Sequence, residues 1–423
     1  MRSVRRVVAI GLLAGFSLTG CSKENPLPKL PDLAEVRANL AFTCVREADH
    51  LPPLDPEADQ LFQYGRYLQK RKGPKDFDEI VRYYRIAAAH GHYQANHNAQ
   101  LLVSRGKTKS PYAMRESIDW ATQLVEQDVP MGYYDVGHYL KLGYGFKQNE
   151  DMALRYIRKA ADMGNPDAQY YVGEMLAPAS MAPDIARQMR RCAAEQGHGK
   201  AANTLGVDLQ NDKHYQEAVQ AFQLGAAAGH STSAYYLKHA FKAPPPSDEL
   251  NYLALPNDPE RAERYEQIWR FLVKNESYNP KLPDIDQIVP LPPAELPPWD
   301  GTFQWQKEQE QIPEQPSEAL MEKLAKGRNL DPALGLALPP PPRAALGTCV
   351  NTGERCPESG LWRALRESGA PYLDATFYFS KGKTMPVYIF ARPRLFALLD
   401  RWLGPDWVSN PVQWQLVGYD DQV

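Results

Sequence analysis

Apolar and polar residues alternate between residues 57 and 275 with the period of amphipathic helices, and one pattern recurs. A helical run such as FDEIVRYYRIAAAHG or MALRYIRKAADMG leads into a turn, and the next helical run follows that turn. The turn residues are Gly91, Asp128, Gly164, Gly197 and Gly229, spaced by 37, 36, 33 and 32 residues. That period is the length of a helix–turn–helix repeat. We therefore expect a mainly α protein, an α/α hairpin solenoid with 57–71 and 259–274 as outer helices.

Small residues occupy fixed places in the repeat. Paired alanines precede the turn at 87–88, 160–161, 193–194 and 226–227. A second glycine recurs in register inside a helix, at Gly65, Gly137, Gly173 and Gly206. Glycine inside a helix costs about 1 kcal/mol relative to alanine, so its recurrence predicts helices that cross closely.

The flanks of the repeats differ in composition. Residues 32–49 suggest an N-terminal cap helix within a segment, 21–56, that precedes the repeats. Residues 276–342 contain 14 prolines and cannot continue a helix. They predict either an extended linker or, as the aromatic residues Trp299, Phe303 and Trp305 favour, a segment packed along the solenoid.

Residues 343–423 predict a small α+β domain. The pattern indicates helices over 361–368 and 394–402, and strands over 375–380, 387–390 and 412–417, with a Lys381-Gly382-Lys383 turn between the first two strands. The runs TGERCPESGLW and FYFSKGKTMP resemble a small module found in proteins associated with bacterial toxin delivery.

The repeats resemble the Sel1-like repeat, a relative of the tetratricopeptide, most fully at 150–176 and 211–239. The copy at 114–140 departs from the family by having Asp128-Val129-Pro130 in place of the glycine. The resemblance covers about half of the chain. It implies an adaptor or scaffold, and the family includes envelope lipoproteins that act as immunity factors against type VI secretion phospholipase effectors.

The N-terminus has the features of a secretory signal. Arg2, Arg5 and Arg6 precede an apolar run of about 12 residues, too short to span a bilayer as a helix. The run ends in Leu18-Thr19-Gly20-Cys21, which resembles a bacterial lipobox. Residues 1–20 are thus predicted to be a signal peptide and Cys21 the lipidated first residue, with an ordinary signal peptide as the alternative. Ser22 in place of an aspartate favours the outer membrane over the inner one.

The net charge bears on the kind of partner, and the cysteines bear on disulfide formation. Residues 1–20 hold three of the 48 basic residues and none of the 51 acidic ones, so the remaining chain has a net charge of −6. This balance gives no reason to expect a nucleic-acid partner. Cys349 and Cys356, seven residues apart around Gly353, predict a disulfide. A zinc site is the alternative, but only two ligands are visible and no histidine is nearby in sequence. Cys44 and Cys192 could pair or remain buried thiols.

No catalytic, cofactor or metal-binding motif is recognisable. HExxH, GxSxG, P-loop and HxK-type motifs are absent. His90, His92 and His97 are close in sequence but flank a turn, which favours solvated histidines over a metal site. We therefore expect a protein that is not an enzyme, needs no cofactor and binds no metal, although residues 343–423 could carry an activity.

The first helices of the hairpins present the predicted binding surface, since they line the concave side of such solenoids. Superposing the repeats gives a column of outward-pointing side chains with a second column one turn further on. The predicted partner-binding residues from both columns are Gln63, Arg66, Asn98, Asp135, His138, Tyr171, Glu174, Tyr236 and His239. The alternative is that Tyr171 and Tyr236 pack against the next repeat, with Tyr170 and Tyr235 already buried.

Two functions fit these features. The first is a lipid-anchored, periplasm-facing immunity protein whose repeats bind and neutralise an antibacterial effector of the type VI secretion system, a phospholipase by family resemblance. The second is an envelope scaffold that organises other envelope proteins. The sequence cannot distinguish them.

Overall fold

A computed structural model of the chain describes residues 41–339, 343–392 and 406–419. The chain divides into two compact units between residues 337 and 338, near the predicted boundary at 342. The predicted signal peptide, the lipidation site Cys21 and the predicted helix over 394–402 lie outside the described residues. None of the described helices is both long and apolar enough to cross a membrane.

The first unit is a stack of antiparallel helical hairpins. Its helices are α1 (Pro56–Lys70), α2 (Phe77–Ala89), α3 (Tyr93–Ser104), α4 (Ala113–Glu126), α5 (Pro130–Leu142), α6 (Glu150–Asp162), α7 (Pro166–Leu176), α8 (Pro183–Glu195), α9 (Gly199–Asn211), α10 (Tyr215–Ala227), α11 (Ser231–Ala240) and α12 (Pro259–Lys274). The mainly helical fold with a small C-terminal sheet region confirms the predicted fold class.

The turn residues that define the repeat adopt the conformation that the sequence requires. Gly91, Gly164, Gly197 and Gly229 have φ angles between 82° and 97°, and Asp128 has a φ of 55°. A left-handed residue ends a helix by turning its last amides back onto free carbonyl groups, and asparagine-like residues are tolerated there better than branched ones. Asp128 therefore takes the place of the glycine in the same kind of turn.

Close helix crossing explains the second recurring glycine. A Cβ added at Gly137 would lie 2.6 Å from Cγ1 of Ile157, and one at Gly206 would lie 2.7 Å from the ring of Phe222. At Gly173 the nearest atom would be 3.3 Å away. The helix pairs α5–α6 and α9–α10 thus pack closely enough to exclude a methyl group.

Gly137→Ala is expected to destabilise the protein, because the buried Ile157 cannot retreat without disturbing the core. Overpacking should lower the free energy of unfolding by about 1–3 kcal/mol. The higher helix propensity of alanine should offset roughly 1 kcal/mol of that loss. Gly173→Ala is the matched control and should have a smaller effect in the same chemical denaturation experiment. Equal effects at both positions would mean that crossing distance does not explain these glycines.

The proline-rich segment packs along the repeats, as its aromatic residues favoured. It contains the short helices α13 (Ile285–Ile288), α14 (Gln304–Glu310) and α15 (Glu318–Gly327). Ile285 and Phe303 are buried in the core of α9–α12, and the ring of Phe303 stacks on Phe271 at 4.2 Å.

Beyond α14 the chain returns to the first helices. Met321 and Leu324 of α15 are buried in the core formed by α1–α3. The guanidinium of Arg82 binds the Glu318 carboxylate at 2.6 Å, and Lys323 binds Glu57 at 2.7 Å. The segment therefore contacts both the last and the first helices of the solenoid.

The N-terminal segment differs from the predicted cap helix. Residues 32–40 lie outside the described residues, and from 41 onward the chain is extended apart from a 3-10 turn, Glu47–His50. The segment contacts α6, α7 and α8, whereas an N-terminal cap would cover the first helix, α1. The amides of Gln169 and Asn165 donate to the Val45 carbonyl at 3.0 Å and to Glu47 Oε1 at 2.8 Å. Side chains thus satisfy the Val45 carbonyl and the Glu47 amide, which donates to Oε1 of Gln196 at 2.8 Å, without a helix.

The disulfide of the structure joins Cys44 to Cys192, with Cα atoms 5.6 Å apart. The prediction of a Cys349–Cys356 disulfide is wrong, since both residues are free thiols. Cys349 lies on the exposed side of its strand, whereas Cys356 is buried and its thiol donates to the Glu358 carbonyl at 3.1 Å. The two side chains therefore face different surroundings.

Peptide mapping under non-reducing conditions provides the check on cysteine pairing. We expect a linked peptide pair containing Cys44 and Cys192, and alkylation of Cys349 and Cys356 by iodoacetamide after denaturation. Reducing the Cys44–Cys192 bond should lower stability, because it closes a long loop and constrains the unfolded chain. A Cys349–Cys356 linked peptide from oxidised protein would overturn this assignment.

The second unit consists of strands in its described part. They are β1 (Cys349–Asn351), β2 (Gly360–Leu365), β3 (Pro371–Phe379), β4 (Tyr388–Arg392), β5 (Asp406–Asn410) and β6 (Gln413–Tyr419). They form an antiparallel sheet in the order β1-β6-β2-β3 and a separate β4–β5 pair.

One secondary-structure prediction in this unit is wrong. The helix expected over 361–368 is strand β2, because the buried Trp362 and Ala364 alternate with the exposed Arg363 at the period of a strand. The strands expected over 375–380, 387–390 and 412–417 overlap β3, β4 and β6. β3 pairs with β2, and β4 pairs with β5.

Candidate protein-binding face

The first helices of the hairpins, α1, α3, α5, α7, α9 and α11, form a surface that we call the first-helix face. All of them except α9 carry predicted binding residues. Side chains connect neighbouring members of this series directly. His97 of α3 binds Asp135 of α5 at 3.0 Å, and the ring of His138 lies 5.8 Å edge-on from the ring of Tyr171 on α7. The face is therefore continuous over at least three repeats.

An aromatic cluster lies at the centre of the face. Tyr134 and His138, one turn apart on α5, make an edge-to-face contact with ring centroids 4.5 Å apart. His138 then contacts Tyr171, whose hydroxyl accepts a hydrogen bond from Lys141. Tyr134, His138 and Tyr171 are all half-buried. Burial lowers the pKa of His138. The cluster thus presents large, partly held ring surfaces to solvent, a composition typical of binding hot spots.

Asp135, predicted to point outward, is buried and only 8% exposed. Its carboxylate is held by Nδ1 of His97. Burial disfavours the charged imidazole, but the Asp135 carboxylate outweighs it and raises the pKa of His97. The pair joins α3 to α5, so Asp135 has a structural role and is less available to a partner than the sequence suggested.

Acidic groups gather beside this pair. Asp167 on the first turn of α7 lies 3.3 Å from Nε2 of His198, and burial works against its charge while His198, His97 and Lys281 lower its pKa. Glu47, from the N-terminal segment, accepts a hydrogen bond from Asn165 and has its pKa raised by burial. The N-terminal segment therefore adds a carboxyl group next to the first-helix face.

Glu174 is exposed, but its carboxylate is engaged. It accepts hydrogen bonds from Nε and Nη2 of Arg190 at 2.9 and 2.7 Å. The same guanidinium binds Asp208, so one buried arginine joins α7, α8 and α9. Glu174 remains reachable by a partner, although removing it would also disturb this network.

The ends of the face differ from its centre. Gln63 and Arg66 are exposed on α1, and Asn98 is half-buried on α3. At the other end, Tyr236 is stacked on Phe222 with ring centroids 4.6 Å apart. Tyr236 therefore packs on the solenoid core, as the alternative reading held.

Sequence reasoning missed a third aromatic column on the same face. Tyr170 is half-buried and stacks on His198 at 4.8 Å, and Tyr235 contacts His239 at 4.4 Å. Tyr134 occupies the equivalent position on α5. The expectation that Tyr170 and Tyr235 are buried is wrong, because each ring lies against a histidine at the surface. The i, i+4 Tyr–His spacing at 134/138 and 235/239 is the signal that could have revealed the column.

The three histidines considered for a metal site have separate partners. His90 contacts the Leu324 carbonyl at 2.9 Å and His92 contacts Asp59 at 3.1 Å, while His97 binds Asp135. Within residues 41–339, 343–392 and 406–419, no group of three or more histidine, cysteine or acidic side chains is arranged to hold a metal ion.

The chain is similar to one protein-family model and to several solved structures. Residues 233–338 match the model of a domain of unknown function, DUF6396, which spans α11, α12 and the segment that returns to the first helices. A search of curated proteins finds no match.

Three solved structures from Pseudomonas aeruginosa are similar, each aligned over 60% of this chain. PA5086 is 30% identical with a TM-score of 0.48 and is covered over 95% of its length. The immunity protein Pa5087 is 28% identical with a TM-score of 0.49 and 95% covered, and the immunity protein PA5088 is 26% identical with a TM-score of 0.49 and 94% covered. With 30% identity to PA5086 over 95% of that protein's length, the chain belongs to one family with PA5086.

Proposed function

We propose that the protein is an immunity protein that binds and neutralises an antibacterial effector through its first-helix face. The observation that carries this proposal is its sequence identity of 26–28% to two proteins named as immunity proteins, over 94–95% of their lengths. The half-buried rings of Tyr134, His138 and Tyr171 offer a surface suited to tight protein contact. Neutralisation by such a surface needs only occlusion of the effector.

The finer proposal is that the effector is delivered by a type VI secretion system and is a phospholipase. It rests on the resemblance of the repeats to envelope lipoproteins with that role. An immunity protein for such an effector has to meet it where its lipid substrate is accessible, which agrees with the proposed signal peptide at residues 1–20 and anchor at Cys21 on the periplasmic side of the outer membrane.

Deletion of the gene tests the immunity role directly. In competition against the parental strain, we expect the deletion strain to be killed, and plasmid-borne protein to restore survival. Inactivating the secretion system of the attacker should abolish the killing. Equal survival of deletion and parental strains against attackers that deliver effectors would reject the immunity role and favour an envelope scaffold.

The anchor proposal predicts the behaviour of Cys21→Ser. Without the thiol, the protein cannot receive the acyl chains that hold a lipoprotein in a membrane, so it should move from the membrane fraction to a soluble or uncleaved form. Fractionation with immunoblotting measures this, with Cys349→Ser as the matched control that stays in the membrane fraction. Wild-type protein found wholly in the soluble periplasmic fraction would contradict the anchor.

A further inference from the structure

A cavity lies where the segment after α12 reaches α1. Its volume is about 470 Å³, and side chains from α1, from residues 279–281 and from α14 line it. The volume is within the range of small-molecule sites. The whole cavity belongs to the first unit of the chain.

The cavity is rich in cationic groups. Arg66, Lys70 and Arg71 of α1 and Lys281 face it, and Glu308 is the one carboxylate among its lining residues. Within the described part of the chain, none of these four cations forms an ion pair with a carboxylate within 4.0 Å. Elsewhere in the solenoid, arginines such as Arg82, Arg85 and Arg190 are paired with carboxylates.

These cations also crowd one another. Burial, and then the like charges of Arg66 and Lys281, lower the pKa of Lys70 to about 8, against the weaker opposing effect of Glu308. Burial likewise lowers the pKa of Lys281, although Asp167 acts in the opposite direction. Lys281 donates to the Ala228 carbonyl at 2.7 Å, which fixes its position. Like charges held together in a partly desolvated space are unfavourable unless an anion joins them.

The remaining lining residues suit a ligand larger than a bare ion. Gln63, Asn279 and Gln309 offer amide donors, and the rings of Tyr67 and Trp305 form an apolar wall. Guanidinium groups match the oxygens of a phosphate in pairs, while lysine adds a point charge.

We propose that this cavity binds the phosphate group of a small organic phosphate, with Arg66, Lys70 and Lys281 around the phosphate and Trp305 against the rest of the molecule. This site takes Gln63 and Arg66 from the α1 end of the first-helix face, but it shares no lining residue with the cluster of Tyr134, His138 and Tyr171 and does not depend on the immunity role. The phosphate can come from a soluble ester or from the headgroup of a phospholipid at a membrane surface.

Isothermal titration with glycerol 3-phosphate, in a phosphate-free buffer at low salt, tests the site. We expect saturable binding at one site per chain, weakened at least about tenfold by Lys70→Gln or by Arg66→Gln. The matched control is Lys326→Gln, at an exposed position of α15 outside the cavity, which should leave binding unchanged. Lys70→Gln should melt at or above the wild-type temperature without ligand, because it removes a crowded charge.

Vesicle sedimentation identifies the source of the phosphate. The mature chain produced without residues 1–21 should sediment with phosphatidylglycerol vesicles, in a Lys70-dependent way, if a lipid headgroup is the ligand. Binding of glycerol 3-phosphate without such sedimentation assigns a soluble ester. The proposal is overturned if no saturable binding occurs, or if Lys70→Gln, Arg66→Gln and Lys326→Gln bind glycerol 3-phosphate as well as the wild type.

Discussion

Arg85→Ala should lower the free energy of unfolding of the repeat unit by about 3–5 kcal/mol, the usual loss when one partner of a buried ion pair is removed. Arg85 is 2% exposed, and its guanidinium binds both carboxylate oxygens of Glu116 at 2.7 and 3.0 Å. It also donates to the carbonyls of Lys109 and Leu334 at 3.1 Å. The substitution therefore leaves the Glu116 carboxylate, whose side chain is 12% exposed, and two carbonyl groups without their donor.

Arg115→Ala is the matched control for this change. Arg115 pairs with Asp119 on the surface of α4, with side-chain exposures of 72% and 66%, and such exposed pairs contribute little to stability. Thermal unfolding followed by circular dichroism measures both variants. We expect Arg85→Ala to lower the melting temperature by at least about 6 °C and Arg115→Ala to leave it nearly unchanged. A similar small shift for both would contradict an anchoring role for Arg85.

Arg85 illustrates which contacts the period of the sequence can predict and which it cannot. The repeat length, the left-handed turn residues and the close crossings at Gly137 and Gly206 follow from local rules, because each depends on neighbours within one hairpin. Those rules could not predict the contacts of Arg85, because its partner Leu334 lies 249 residues away in sequence. Contacts made by segments outside the repeat leave no period in the sequence.

The predictions for the cysteines and for strand β2 are wrong for a related reason. The seven-residue spacing of Cys349 and Cys356 suggested a pair, but the sheet places one thiol outside and the other inside. Cys44 meets Cys192 only because an extended segment crosses α6–α8, 148 residues away in sequence. Strand β2 was mistaken for a helix because a short apolar run fits both periods.

The predicted binding residues differ in how far the structure exposes them. Tyr171 and His138 are half-buried with rings in contact, whereas Asp135 is buried against His97 and Tyr236 stacks on Phe222. Phase alone cannot tell which of two adjacent tyrosines packs inward, since both lie near the edge of the apolar stripe. The neighbour supplied by the next helix decides it.

The combination of Tyr134→Ala and Tyr171→Ala should weaken binding of the effector at least about a hundredfold. Truncating a hot-spot residue costs about 2 kcal/mol or more, and each 1.4 kcal/mol is tenfold in the dissociation constant. Both rings are half-buried in one cluster around His138, so the double substitution removes two large rings from the centre of the face. Surface plasmon resonance with the purified effector measures the change.

Two further variants separate contact from folding. Tyr112→Ala removes a tyrosine that is 76% exposed and outside the first-helix face, so it should bind normally. Tyr171→Phe keeps the ring and loses only the hydroxyl that Lys141 binds, so it should bind within about threefold of the wild type, the change expected for a hydrogen bond of modest net value. Normal binding by the double variant would place the interface elsewhere on the chain.

Protection of a deletion strain tests the central claim most directly, because it requires both the immunity role and the first-helix face. The strain is complemented with wild-type protein, with Tyr134→Ala/Tyr171→Ala or with Tyr112→Ala, at equal abundance confirmed by immunoblot, and is then exposed to attacking parental cells. Wild type and Tyr112→Ala should restore survival, whereas the double variant should leave the strain sensitive. Full survival with the double variant would contradict neutralisation through this face.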